Sequence, residues 1–158
     1  MLLTPMKKVK ITQGYETLVS DCDFERVSEY KWGLARRGRQ LYVAGRIDGR
    51  KKVYLHRFIT DCPHGIEVDH RDFDGLNNTR ENLRICSRSE NARNTRKRRR
   101  GQYKGVYRHS KNRAWIAEIC VQGKGTYLGS FKTEKQAALA YNDAARIAFG
   151  EFALLNPI

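Results

Sequence analysis

The sequence lacks the features that mark zinc knuckles, disulfide scaffolds and membrane spans. Its four cysteines form no CxxC pair and lie 40, 24 and 34 residues apart, so neither a structural zinc nor a disulfide framework is expected. No segment approaches the roughly 18 consecutive apolar residues of a transmembrane helix. The first residues also lack the charged start and apolar stretch of a secretory signal. We therefore expect a cytoplasmic protein with no membrane partner.

Acidic residues are scarce relative to basic ones. The chain has 31 Lys and Arg against 17 Asp and Glu, which gives a net charge of +14. Binding to a polyanion releases counterions condensed on its phosphates, so this excess favours a nucleic-acid partner. The basic residues do not lie opposite a broad apolar helix face, which argues against a membrane surface as the polyanion.

Five consecutive cations at positions 96–100 divide the chain. Adjacent like charges repel and cannot pack in a core, so this run is predicted to be a linker or a solvated helix end. Residues 1–100 hold 23 basic and 13 acidic residues, and residues 101–158 hold 8 and 4, so both parts are basic. We predict one domain at 1–95, a linker at 96–101 and a second domain at 102–158.

The N-terminal part is predicted to be rich in strands. Four segments have strand character and form pairs around Gly14 and around the turn dipeptide Asp48-Gly49: 9–11 with 15–19, and 41–46 with 52–56. A short helix is predicted at 23–30, with Asp21 or Asp23 as its N-cap.

The C-terminal part predicts three antiparallel strands covered on one face by a helix. The strands are expected at 103–108, 114–121 and 124–131. Thr133 and Gln136 form a capping box that begins the helix, and the helix ends near Gly150. Together with the N-terminal part, this pattern predicts an α+β protein.

The residues suited to catalysis lie in one segment, 68–91. Its pattern predicts a hairpin followed by a helix that begins with a capping box at Ser87. This arrangement brings Asp69, His70 and Asn91 close together. Carboxylate and amide oxygens are ligands for Mg²⁺, and a histidine beside a metal can take a proton from water. The residues therefore suggest a one-metal hydrolase that cleaves phosphodiester bonds.

The same segment resembles the HNH (ββα-metal) endonucleases, particularly the homing enzymes of phages and introns. In that family an Asp-His pair is followed by Asn twelve residues after the His and by another Asn nine residues later, as in Asp69, His70, Asn82 and Asn91. The resemblance spans about residues 53–95. It implies that Asp69 and Asn91 bind Mg²⁺ or Mn²⁺, that His70 is the general base, and that Asn82 orients its imidazole.

Arg57 and its neighbour His56 lie upstream of this motif. Arg57 is predicted to contact a phosphate of the DNA. His56, its neighbour, suits a structural role as well as a catalytic one.

Residues 102–157 resemble the Apetala-two/ethylene-response-factor DNA-binding domain through the motifs YKGV, WIAEI, YLGSF and AALAYNDAA. That family lays its sheet in the major groove, which is wide enough for such a ribbon. The matching positions on the DNA-facing side are Lys104, Tyr107, His109, Glu118, Cys120 and Tyr127. Nearby cations suited to phosphate contacts are Arg108, Arg113 and Lys124. The plant domains have arginine and tryptophan at several of these positions, so their target preference is not expected to transfer.

These observations predict a metal-dependent endonuclease that acts on double-stranded DNA. A single active site predicts a nick per binding event, with the protein a monomer or a weak dimer. The alternative is a non-catalytic DNA-binding regulator that uses the nuclease half as a scaffold. An RNA-binding protein is a third hypothesis, but no repeated aromatic pattern for stacking unpaired bases is present.

Overall fold

The computed structural model describes residues 5–49, 51–93, 102–111 and 113–158. The chain divides into two compact units, residues 1–88 and 89–158. Both units combine strands with helices, which confirms the predicted α+β class. The predicted linker at 96–101 and the predicted end of the first domain at residue 95 lie outside the described residues.

The first unit consists of small sheets and two short helices. Its strands are β1 (Met6–Lys10), β2 (Glu16–Ser20), β3 (Trp32–Arg37), β4 (Gln40–Ile47), β5 (Lys51–Tyr54), β6 (Glu67–His70), β7 (Asn77–Asn78) and β8 (Leu83–Cys86). Its helices are α1 (Asp21–Ser28) and α2 (Leu55–Thr60). The strands pair in the orders β1-β2-β7, β3-β4-β5 and β6-β8.

The N-terminal hairpin forms around Gly14 as predicted, but the helix after it begins earlier than expected. α1 starts at Asp21, with Ser20 at its N-cap, so Asp21 and Asp23 lie in its first turn. The Ser20 hydroxyl is used elsewhere, because it accepts a hydrogen bond from the backbone N–H of Arg80 at 2.9 Å.

The middle sheet differs from the prediction at both ends. No sequence pattern predicted β3. Two adjacent polar residues, Arg36 and Arg37, interrupt the alternation of polar and apolar side chains at its end. The strand predicted at 52–56 ends at Tyr54, and His56 lies in α2 instead. Leu55 and Ile59, one helical turn apart, are both buried, and their burial favours a helix over a continued strand.

The apolar core joins the hairpin at the N-terminus to the predicted catalytic segment. It includes side chains from both helices and from strands of all three sheets: Val9, Ile11, Val19, Val27, Trp32, Val43, Leu55, Ile59 and Leu83. The indole of Trp32 also donates to the Val27 carbonyl at 2.8 Å. The N-terminal strands are therefore part of the same packed body as β8.

The second unit is the predicted sheet and helix. Its elements are β9 (Val106–Arg108), β10 (Trp115–Val121), β11 (Lys124–Phe131) and α4 (Glu134–Phe149), with sheet order β11-β10-β9. A preceding helix, α3 (Arg88–Arg93), spans the division between the units. β9 is shorter than predicted because Gly105 adopts a left-handed φ of +72°, which ends the extended chain.

Alanines bring α4 close to the sheet. Ala137, Ala138 and Ala145 are fully buried, and Ala117 of β10 faces the first two. The capping box of Thr133 and Gln136 is present. Near the end of α4, Phe149 is buried and Ala148 is exposed. No helix among the described residues is long and apolar enough to cross a membrane.

Candidate active site and DNA-binding face

Asp69 and His70 are the last two residues of β6, and both side chains are buried. β6 pairs with β8 in antiparallel register, which places Asp69 opposite Arg84 and His70 opposite Leu83. The hairpin predicted within segment 68–91 is therefore present, and Asp69 and His70 lie on its first strand.

The carboxylate of Asp69 is paired with Arg84 inside this hairpin. Nε and Nη2 of Arg84 both donate to Oδ2 of Asp69, at 2.8 and 2.6 Å. The two side chains are only 9% (Asp69) and 6% (Arg84) exposed. Removing either member of such a buried pair leaves an uncompensated charge. Arg84 therefore fixes the orientation of the Asp69 carboxylate, through a contact that no motif indicated.

The donor atoms at this hairpin suit a hard divalent ion better than zinc. Within 5–49, 51–93, 102–111 and 113–158, no group of three His, Cys, Asp or Glu side chains could hold a metal. One carboxylate with an amide oxygen fits Mg²⁺, which keeps water and substrate phosphate among its ligands. The predicted amide ligand, Asn91, lies in α3 beyond the division between the units, so its pairing with Asp69 stays a prediction.

The ring of His70 is held by Asn78, which lay outside the predicted site. Nε2 of His70 is 3.3 Å from Oδ1 of Asn78. Nδ2 of Asn78 donates to the Gly75 carbonyl at 3.1 Å and to Oγ1 of Thr17 at 2.9 Å. A backbone carbonyl can only accept, so Oδ1 must face the ring, and Nε2 must carry the proton. Nδ1 is then the basic nitrogen of the neutral imidazole.

Asn82 was expected to hold the His70 ring, but its side chain contacts the loop that follows His70. Its Oδ1 accepts from the N–H of Asp72 at 3.0 Å. Its Nδ2 donates to Oδ1 of Asp72 at 2.9 Å and to the Asn77 carbonyl at 2.7 Å. Because these bonds occupy both ends of the amide, Asn82 acts on the imidazole only through the loop.

His56 and Tyr42 pack against the His70 ring. The His56 ring is stacked on Tyr54 and meets His70 edge to face, with centroids 5.2 Å apart. Nδ1 of His56 is buried, with no hydrogen-bond partner among the described residues. Burial, together with the nearby His70 and Arg57, lowers the pKa of His56 to about 3. His56 is therefore neutral near pH 7 and cannot act there as a cationic acid.

Burial also lowers the pKa of His70 from its usual value. The hydrogen bond to Asn78 and the nearby carboxylates of Asp72, Asp69 and Asp74 oppose this effect without reversing it. The neutral form, which is the one able to accept a proton, is therefore favoured near neutral pH.

The N-terminal hairpin fastens the loop that follows His70. β2 pairs in parallel with β7. Thr17 donates to the Leu76 carbonyl at 2.6 Å, and Arg80 binds both oxygens of Asp23 at 2.7 Å. The residues in these side-chain contacts are 57 to 61 positions apart in the sequence, so no local pattern could have revealed them.

Arg57 binds three backbone carbonyls, and its predicted phosphate contact stays a prediction. Its Nη1 donates to the Ile66 carbonyl at 2.6 Å. Its Nη2 donates to the carbonyls of Cys62 and Pro63, at 3.0 and 2.7 Å. The chain after α2 turns back around this guanidinium, which satisfies carbonyls that the helix leaves unpaired.

Comparison with known proteins identifies the family of this chain. A family model described as HNH endonuclease matches residues 53–93. An uncharacterized HNH endonuclease, L560, of Acanthamoeba polyphaga mimivirus is 38% identical over 139 residues, which cover 84% of this chain and 70% of the relative. The chain belongs to the HNH endonuclease family. Nuclease activity is the function that this family implies, and such nucleases generally use a divalent metal.

In this HNH endonuclease, the sheet face of the second unit that points away from α4 is polar and aromatic. Tyr107 and Tyr127 are 42% and 64% exposed. Glu118 lies opposite Tyr127 across the strands, and its carboxylate accepts from the Tyr107 hydroxyl at 3.2 Å. Trp115 packs against the core between the sheet and α4 instead.

The remaining residues of the predicted DNA-binding face differ in accessibility. Arg108, Arg113, Cys120 and Lys124 are exposed, and Lys104 and His109 are partly exposed. The guanidinium of Arg108 donates to the Arg113 carbonyl at 3.2 Å and lies 5.7 Å from the Trp115 ring. Contacts of these residues with DNA remain predictions.

Plant transcription factors are also similar to the endonuclease. Dehydration-responsive element-binding protein 2E of Oryza sativa subsp. japonica is 46% identical over 57 residues, 35% of this chain and 18% of that protein. AP2-like ethylene-responsive transcription factor ANT of Arabidopsis thaliana is 30% identical over 155 residues, 92% of this chain and 27% of that protein. The chain thus spans less than a third of either plant protein. The second unit is an Apetala-two/ethylene-response-factor-like domain.

Proposed function

We propose that this HNH endonuclease is a metal-dependent, homing-type enzyme that hydrolyses phosphodiester bonds in double-stranded DNA. The fixed ring of His70 is the observation that carries the proposal. Asn78 binds Nε2 and leaves Nδ1 as the basic nitrogen, next in the chain to the oriented carboxylate of Asp69.

In the proposed reaction, Nδ1 of His70 takes a proton from the attacking water. The oxygen of that water forms a bond to phosphorus, the bond from phosphorus to the 3′ oxygen breaks, and the departing oxygen takes a proton from solvent water. Oδ1 of Asn78 accepts a hydrogen bond from Nε2–H throughout, so the ring stays oriented while its charge changes. The products, by family resemblance, carry 5′-phosphate and 3′-hydroxyl ends.

Asp69 and Asn91 would hold the divalent ion, Mg²⁺ or Mn²⁺. When bound, such an ion offsets negative charge on the phosphate and on the departing oxygen. Arg84 keeps the Asp69 carboxylate oriented, and Asn82 shapes the adjoining loop.

The second unit is proposed to bind duplex DNA and to tether the nuclease near its target. Tethering raises the effective concentration of one module at the site of the other, so modest contacts in each can combine. The proposed contacts are the exposed and partly exposed residues of the face defined above: Lys104, Tyr107, Arg108, His109, Arg113, Glu118, Cys120, Lys124 and Tyr127. One active site in a monomer or a weak dimer cuts one strand per binding event.

Plasmid cleavage by wild-type protein and by His70→Ala, each with Mg²⁺ and with EDTA, tests the proposal. Loss of a general base is expected to slow cleavage by about 10² to 10⁴ while DNA binding is retained. His64→Ala is the matched control, because His64 is an exposed histidine of the same unit.

Each alternative gives a different result in this assay. Equal cutting by wild type and His70→Ala would mean another active site or a contaminant. Firm duplex binding without cutting, across several metals, would support the non-catalytic regulator. Linear plasmid that appears without a nicked intermediate would contradict a single-site monomer.

A further inference from the structure

The nuclease unit has an arginine-rich hairpin that the proposed mechanism does not use. β3 and β4 are joined at Gly38-Arg39, with Arg37 paired to Gln40. Gly38 has a φ of +62°, which suits the first position of a tight two-residue turn. Arg36, Arg37 and Arg39 are all exposed at this end of the sheet. We call these three residues the arginine tip.

The charge of the arginine tip is not neutralised nearby. Between residues 30 and 47 the sequence has five basic residues and no acidic one. Within the part of the chain that the structure describes, none of the ion pairs includes a member of the arginine tip. By contrast, Arg26, Arg80 and Arg84 are each bound to a carboxylate. The arginines of the tip are therefore available to an external anion.

The arginine tip lies on the hairpin that borders the candidate active site. Tyr42 stands opposite Ala35, so Arg37 and Tyr42 are diagonal neighbours on one face of the sheet. The Tyr42 ring centroid is 5.9 Å from that of His70. The loop after His70 touches the same hairpin, because a Cβ on Gly75 would lie only 2.2 Å from the Leu41 carbonyl oxygen.

The electrostatics of Tyr42 agree with this placement. Burial raises the pKa of its hydroxyl, Arg37 lowers it, and Asp69 raises it further. The phenol therefore lies within the range of both charges, the arginine on one side and the candidate metal ligand on the other.

We propose that the arginine tip binds backbone phosphates of the duplex beside the scissile bond. This inference rests on the proposed function, since it takes DNA as the substrate. Guanidinium groups bind phosphate oxygens through two parallel hydrogen bonds, and such contacts set the register of the duplex without reading its sequence. Three of the five N–H donors of Arg57 are bonded to backbone carbonyls, which favours the tip over Arg57 as the phosphate contact.

The test measures how DNA binding by the full-length protein depends on salt. A labelled duplex of mixed sequence is titrated in EDTA, which prevents cleavage, for wild type and for Arg36→Gln/Arg37→Gln/Arg39→Gln. Each lost phosphate contact lowers the slope of log K against log salt by about 0.9, so the triple variant should lose about 2 to 3. Arg37→Gln alone should lose about 1, and Arg37→Lys should restore most of the slope because it keeps the charge.

A second triple variant controls for net charge. Lys7→Gln/Lys8→Gln/Lys10→Gln removes the same charge from the edge strand β1, where Lys7 and Lys8 are already paired with Asp21 and Glu16. This variant should keep the wild-type slope. An unchanged slope in the arginine variant, or equal losses in both triple variants, would overturn the proposal.

Folding and catalysis are measured separately. All three arginines are exposed, so thermal unfolding of the variant should match wild type; if it does not, Arg37→Gln against Arg37→Lys decides the question. A protein that never cuts DNA but loses salt dependence in the arginine variant would support the tip and refute the nuclease mechanism. A protein that cuts DNA, and whose arginine variant keeps the wild-type slope, would support the nuclease mechanism and refute the role of the arginine tip.

Discussion

The two units place their functional side chains in opposite environments. In the nuclease unit, Asp69, His70 and Arg84 are buried in a network of hydrogen bonds. In the second unit, Tyr107 and Tyr127 stand on an open sheet face. Catalytic groups act best when they are fixed and shielded from water, whereas groups that meet a duplex must be accessible. Function and stability should therefore change together in the first unit and separately in the second.

The largest effect is expected from Arg84→Met. This change leaves the buried Asp69 carboxylate without its partner and should lower the free energy of unfolding of the first unit by about 3 to 5 kcal/mol. Trp32 and Trp115 lie one in each unit, so urea unfolding in a Trp115→Phe background reports the first unit through Trp32.

The double variant Asp69→Asn/Arg84→Met is the control for this prediction. It removes both charges and should recover much of the lost stability. If Arg84→Met unfolds like wild type, the pair contributes nothing, and the contrast between the units fails.

An intermediate effect is expected from Tyr127→Ala, and it should appear in binding alone. Loss of a contact to a base costs about 1 to 3 kcal/mol, which is roughly a tenfold to hundredfold weaker Kd. Fluorescence anisotropy with duplex DNA measures the Kd, and thermal unfolding should be unchanged because the ring is exposed. Tyr15→Ala, at an exposed tyrosine of the first unit, is the matched control. A large drop in melting temperature would show that the face is structural.

A smaller effect is expected from Thr17→Val. The change removes the hydroxyl that donates to Leu76 and accepts from Asn78, and should cost about 1 kcal/mol of stability. Because the Asn78 amide orients His70, single-turnover cleavage should also slow, with Kd for DNA unchanged. Thr17→Ser keeps the hydroxyl and should retain the rate. If Thr17→Val lost stability but kept the full cleavage rate, stability and catalysis would not be coupled in the first unit, contrary to our expectation.

The smallest effect concerns pH. A general base must be neutral, and burial lowers the pKa of His70, so protonation should stop the reaction only below the usual histidine value. The acid limb of the single-turnover rate should therefore lie below about pH 6.5. A bound cation would shift it in the same direction. An acid limb above that value would mean that the titrating group is not the buried ring of His70.

Local patterns in the sequence were enough to predict the second unit. Alternation along β10 and the capping box at Thr133 depend on residues close together in the chain, and both are present. The pattern of segment 68–91 likewise predicted the hairpin that contains Asp69 and His70.

The remainder of the nuclease site depends on contacts that local patterns do not encode. In the sequence, Asn78 has the pattern of an ordinary turn residue, and its contact with Thr17 depends on the pairing of β2 with β7. Arg84 shows no motif of its own, and its role comes from standing opposite Asp69 across two strands. The hydrogen bonds of Arg57 were not predictable either, because its sequence neighbours do not reveal that the chain after α2 folds around it.

The parallel pairing of β2 with β7 has a consequence for when the enzyme becomes active. Thr17 and Asn78 are 61 residues apart, so their contact must wait for the closure of a long loop, which is slow compared with local folding. A chain leaving the ribosome exposes Thr17 long before Asn78, so the proposed orientation of His70 by Asn78 is complete only after the two ends of this loop have met. In the finished protein, opening of the first hairpin would release Asn78 and would also disrupt the core to which Val9, Ile11 and Val19 belong.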